Sequence, residues 1–269
     1  MDAVRLERVV GADGFVRLCR MTDPAILIFI VGVFLLAGAV KGVIGVGLPS
    51  VSLGLLAAVM SLQPAIAVTL APALATNIWQ GAFGGHAKVL FRRLWPFLLA
   101  IVIAIGFGTQ VLARVDNRLL SALLGLLLVI YGLSGLLRPS IRLPQGWEGW
   151  SKPVVGLVNG LITGMTGTFV VPATLYLQSL GLSRDQLIQA MGMVFGLSSL
   201  VLAIALGSQN MVSGDLALIS LAAIVPALIG MWFGERIRRR LSEALFRKVF
   251  FVSLTLLGGY IVVRALLLS

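Results

Sequence analysis

Long apolar runs separated by short, basic breaks dominate this chain. Residues 24–44, 64–84, 94–113, 118–137, 185–207, 214–233 and 244–267 are each almost continuously apolar. A hydrocarbon core of ~30 Å takes ~20 apolar residues per helix, so each run predicts a membrane-embedded helix. Two stretches, 38–61 and 156–180, are apolar but interrupted: KGVIGVGLPS begins at Lys41 and NGLITGMTGTFVVP at Asn159. Glycine, threonine and proline inside apolar surroundings predict short, broken helical hairpins there. The expected fold is all-α: a polytopic integral membrane protein of about eight transmembrane helices.

Composition agrees with that pattern. Of 269 residues, 59% are hydrophobic and 12% charged, with a mean hydropathy of +1.04; soluble domains carry about 25% charged residues. The net charge of +11 does not point to nucleic acid, because the basic residues sit in short loops beside apolar segments, as the positive-inside rule requires. The single cysteine, Cys19, and single histidine, His86, exclude an internal disulfide and a structural zinc site. No cofactor is expected, and no enzyme site, since the spans hold no cluster of acids, histidines or cysteines. Residues 1–23 read as a cytoplasmic N-terminal arm rather than a cleaved signal peptide.

The chain also repeats itself. GAVKGVI at 38–44 matches GLVNGLI at 156–162, and the weaker echoes SLQ (61–63) with GLS (181–183), and GTQVLARVDNRLL (108–120) with GERIRRRLSEALF (234–246), follow in the same order. This divides the chain into a first repeat at 24–137, an interfacial linker at 138–153 and a second repeat at 154–269. Equivalent loops differ in charge. The 86–93 segment holds His86, Lys88, Arg92 and Arg93, whereas its counterpart at 207–215 has no lysine or arginine. Opposite charge bias at equivalent loops predicts inverted repeats, a signature of secondary transporters. Parity then requires one extra crossing in the first half, for which residues 25–37 supply apolar length.

Irregular backbone at membrane depth survives only where protein buries it or a cavity wets it, and interrupted segments in corresponding positions of two halves point to a transport site. Exposed N–H groups at half-helix N-termini suit an anion. The candidate substrate-binding residues are Lys41, Gly45, Gly47, Ser50, Asn77, Gln80, Asn159, Thr163, Gly164, Thr166 and Thr168. Competing readings stand beside several of them. The glycines form small-xxx-small pairs suited to helix packing, Lys41 could snorkel to the interface, Asn77 and Gln80 could join helices, and the threonines could bond their own backbone. All ten Asp and Glu lie in the arm, loops or helix ends, so no carboxylate relay of the proton-coupled kind is present. The simplest driving force is then electrogenic efflux: one negative charge leaving an inside-negative cell gains about 2.3 kcal/mol per 100 mV.

LLAGAVKGVIGVGLPSVSLGLL, SLQPAIAVTLAPALATNIW, GTQVLARVDNRLLSALLGLLLVIYGL and GLVNGLITGMTGTFVVPATLYLQSLGLSRDQLIQA together resemble the sulfite exporter TauE/SafE family over about 25–266. Two departures stand out: GVGLPS lacks the run of three glycines common in that family, and AVTLAP replaces its alanine–threonine–serine run. The resemblance implies a transporter of small sulfur-containing anions, such as sulfite, thiosulfate or a sulfonate, exporting across the cell membrane, which in a bacterium is the inner membrane. The implied partners are the anionic substrate and the lipid bilayer. The competing class is a membrane structural or assembly factor in which the broken hairpins only pack.

Overall fold

The computed structural model describes residues 24–137, 143–144, 146–238 and 242–267; the expected N-terminal arm lies outside them. The described chain is all helical. The first half holds α1 (Pro24–Ile44), α2 (Leu48–Ala57), α3 (Leu62–Ala82), α4 (Ala87–Arg114) and α5 (Asn117–Leu137). The second holds α6 (Glu148–Thr166), α7 (Ala173–Ser179), α8 (Arg184–Ser208), α9 (Gly214–Ala222), α10 (Ile224–Ile237) and α11 (Glu243–Leu267).

Six stretches among the described residues are long and apolar enough to cross a membrane: α1, α4, α5, α8, α9 with α10, and α11. That is fewer than the eight expected. Residues 25–37 form no helix of their own: α1 runs unbroken through them and through Lys41. The basic residues assigned to an 86–93 loop occupy the first turns of α4, and α6 starts at Glu148, inside the expected linker.

Glycines bring these helices close together. On α1, Gly38 and Gly42 lie against the backbone of Ala227 and Met231, and Gly230 and Gly234 of α10 lie against Leu35 and Ala39. A Cβ on Gly156 would stand 2.6 Å from the Phe97 carbonyl oxygen, and one on Gly160 2.6 Å from that of Ile101. Backbones that touch need small residues, as is usual between membrane helices. The order of these contacts gives direction. α1 runs parallel to α10, and α4 runs parallel to α6. In contrast α3 and α8 are antiparallel, with Gly81 at Gly192 and Asn77 at Gly196, as are α5 and α11, with Gly125 at Gly258 and Gly132 at Thr255.

Two hairpins follow from these directions. α1 climbs towards the end of α4 that begins at Ala87, turns at Gly45 (φ +90°) and Gly47 (φ +110°), and returns as α2. α6 enters from that end, turns at Gly167 (φ +74°), and returns through α7, where the Leu180 carbonyl accepts from Arg93 Nη2 at 3.1 Å. Each hairpin leaves on the side it entered. An arginine fork fixes the second one: Arg93 donates to both carboxylate oxygens of Glu148, at 2.8 and 2.9 Å, and Lys152 joins at 3.1 Å.

Proline interrupts α3 between the hairpins. Pro72 has no N–H for the Val68 carbonyl, and Ser220 of α9 supplies the missing donor at 2.9 Å. The same hydroxyl accepts from the Ala71 N–H at 3.0 Å. One serine thus repairs both backbone groups next to the break.

Candidate functional site

One turn beyond Pro72, α3 presents Thr76 and Asn77 to α1. Lys41 is 4% exposed and reaches across to them: Nζ donates to Thr76 Oγ1 at 3.1 Å and to Asn77 Oδ1. Thr76 in turn donates to the Pro72 carbonyl at 2.8 Å. Lys41 therefore does not snorkel; it is a buried amine held by two neutral acceptors, and among the described residues it makes no ion pair.

Further unpartnered groups lie on the hairpins and on α3 and α8. Asn77 Nδ2 and Ser50 Oγ have no hydrogen-bond partner, nor do Asn159 Nδ2, Thr174 Oγ1 and Ser198 Oγ. All five residues are buried. Buried polar groups are rarely left unsatisfied, and each of these can donate; of the five, Thr174 lines the cavity beside Gly45.

Beside the break at Gly45 a cavity of about 420 Å³ opens on the end of the molecule where α4 begins. Its walls include Gly45, Thr174, Gln178, Arg184, Arg238 and Arg247, and no carboxylate lines it among the described residues. That volume is ordinary for a small-ligand site. Arg247 is oriented by the Gly135 carbonyl at 3.4 Å and lies 5.8 Å from the Phe251 ring.

The remaining sequence candidates divide. Gly45 and Gly47 form the hairpin break. Ser50 and Asn159 are buried donors, but Asn159 Oδ1 accepts from the Ala173 N–H at 3.0 Å and so ties its own hairpin together. Thr163 donates to the Asn159 carbonyl at 2.7 Å, with Thr168 O at 3.2 Å, and Thr166 donates to Ile162 at 2.8 Å. Gly164 packs against Ile105 and Gly108 of α4. Gln80 donates to the Ile188 carbonyl at 3.0 Å, joining α3 to α8. Gly164 and Gln80 are therefore packing residues rather than cavity lining, and Thr163 and Thr166 bond their own backbone. Sequence reasoning missed Thr76, Thr174, Ser198 and the three arginines. The arginines were visible as loop charges, but nothing in the linear pattern places them around one opening.

Comparison with known proteins gives one finding: the family model described as Sulfite exporter TauE/SafE matches residues 29–261. No curated relative and no solved structure matches.

Proposed function

From a chain that belongs to the sulfite exporter TauE/SafE family of membrane transporters, we propose a carrier that moves a small sulfur-containing anion outward across the cytoplasmic membrane. The observation that carries this reading is Lys41, a buried basic side chain bonded to the neutral partners Thr76 and Asn77, with the amide N–H groups of Asn77 unpartnered among the described residues. A sulfite, thiosulfate or sulfonate group offers several acceptor oxygens on one negative centre, which matches a lysine, an amide and hydroxyls. The cavity between Arg184, Arg238 and Arg247 is the entrance, where clustered positive charge raises the local anion concentration.

The two halves act as inverted repeats. A two-fold axis lying in the membrane plane makes equivalent helices antiparallel where they meet; α3 meets α8 that way, and α5 meets α11. The same operation exchanges the α1–α10 pair with the α6–α4 pair, and both are parallel. Each half then contributes one re-entrant hairpin and three crossings, α3 to α5 and α8 to α11. Basic residues set the orientation. Lys88, Arg92, Arg93, Arg184, Arg238 and Arg247 gather at one end, against Arg114, Arg118 and Arg264 at the other, so the arginine-lined cavity faces the cytoplasm. This assignment puts Pro24 on the external face. A cytoplasmic arm at 1–23 would then need a further passage of chain that the described residues do not contain.

The test is flux of sulfite, thiosulfate and methanesulfonate from proteoliposomes, combined with labelling. Single cysteines at Ser50 and Thr174, placed in a Cys19→Ser background, should react with a water-soluble thiol reagent and be protected by thiosulfate. Absence of flux for all three anions together with unreactive cysteines would favour a purely structural protein.

A further inference from the structure

The way Lys41 is bonded bears on what travels with the anion. Its two partners, Thr76 Oγ1 and Asn77 Oδ1, both accept. An uncharged amine has two N–H groups and one lone pair, so it satisfies both acceptors without carrying charge. Protonation converts the lone pair into a third N–H, directed away from Thr76 and Asn77. In that state the site holds a full positive charge among neutral groups, which costs several kcal/mol in a dry interior. A bound anion accepting from the third N–H removes this cost.

Among the described residues no side chain does so. Of the described side chains on elements packed against α1, those of α2 and α3 include no titratable residue. α10 brings Glu235 and Arg236, both exposed, with Arg236 lying 3.4 Å over the Trp232 ring. Gly42 packs against the backbone of Met231, Gly234 and Glu235. α11 brings Arg247, on the cavity wall, and the exposed Lys248; Arg264 is held at the far end by the Ala58 carbonyl.

Resting on the transporter reading above, we propose that Lys41 couples the anion to a proton: the loaded site is an ammonium–anion pair and the empty site a neutral amine. One proton is taken from water as one anion binds, and both are released together on the opposite face. A monoanion then moves with no net charge and a dianion with a net charge of one. This replaces the electrogenic cycle expected from the missing carboxylates, because the relay is an amine.

Methanesulfonate, a strong-acid monoanion that stays ionised, separates coupling from substrate protonation. In proteoliposomes the wild-type protein should accumulate it about tenfold per unit of pH gradient and ignore a valinomycin–potassium potential. Purified protein in weak buffer should take up one proton per anion bound. Lys41→Arg, whose charge is permanent, and Lys41→Gln, which has none, should lose proton uptake. Any residual flux in these variants should follow potential, up to roughly 50-fold per 100 mV. If methanesulfonate is not carried, thiosulfate should respond to both gradients in the wild type and to potential alone in the variants. Wild-type flux that follows potential and ignores pH overturns the coupling while leaving the transporter intact. No flux of methanesulfonate, thiosulfate or sulfite overturns the transporter reading beneath it. Thermal unfolding of each variant in detergent separates lost coupling from lost fold.

Discussion

Replacing Lys41 with methionine asks whether this residue serves the fold or the cargo. Methionine is close in length and unbranched, so it fills the same space without new polar demands. The wild-type lysine makes two hydrogen bonds, to Thr76 and Asn77, and bonds from an uncharged amine contribute about 0.5–1.5 kcal/mol each. Against this stands the burial of a polar amine, about 1–3 kcal/mol. After the change Thr76 keeps its bond to the Pro72 carbonyl, so only Asn77 Oδ1 is orphaned, at about 1–3 kcal/mol. The terms nearly cancel, so the change is close to neutral for the fold. Lys41→Met should therefore unfold in a mixed-micelle denaturant titration near the wild-type midpoint, while anion flux falls at least tenfold. A variant destabilised by more than about 3 kcal/mol that keeps its flux would make Lys41 a structural residue and refute this reasoning.

Three other outcomes are expected. Cysteines introduced at His86 and Val212 should be labelled by impermeant reagent from opposite sides of the membrane, and labelling from one side would break the inverted arrangement. Ser220→Ala removes the partner of both the Val68 carbonyl and the Ala71 N–H and should cost about 1–3 kcal/mol in the same unfolding titration, whereas an unchanged midpoint would show that the Pro72 break needs no repair. The Glu148 carboxyl, at the N-terminal end of α6 on the membrane face, is held down to about 2, first by its hydrogen bonds from Arg93. A depressed carboxylate gives stability that is complete above the ordinary pKa of ~4.3 and lost as pH falls towards 2. Stability in detergent should therefore decline across that window in the wild type and less in Glu148→Gln; identical profiles would leave the fork without energetic weight.

Much of the fold was legible because membrane segments write their length in apolar residues. The boundaries of α1, α5, α8 and α11 fall within two residues of the runs read from the chain. The 86–93 error has a physical cause: Lys88, Arg92 and Arg93 look like loop residues, yet a helix that rises beyond the hydrocarbon can carry them on its polar turns. α3 was read as a run over 64–84 and forms as Leu62–Ala82, with Thr76, Asn77, Gln80 and two prolines along it. Among site candidates, residue type was a good guide to burial and a poor guide to role. Thr163 and Thr166 could bond their own carbonyls within one turn, and only geometry shows that they do.

By itself the sequence determined that this is a multi-pass helical membrane protein, that its two hairpins break at glycine and that its spans carry an amine and amides but acids only near their ends. Those are matters of hydrophobic length, backbone freedom and residue count, each readable within one turn or one segment. The tertiary structure decided what those groups face. Lys41 meets Thr76 and Asn77, 35 and 36 residues away, and Ser220 repairs Val68 from 152 residues away. Asn77 is freed for Lys41 while Gln80, one turn on, is absorbed into the α8 contact. The reason lies in packing: glycine contacts fix how far each helix slides and rotates against its neighbour, and a turn of about 100° between adjacent residues moves a side chain from cavity to interface. No local pattern in the chain encodes that rotation.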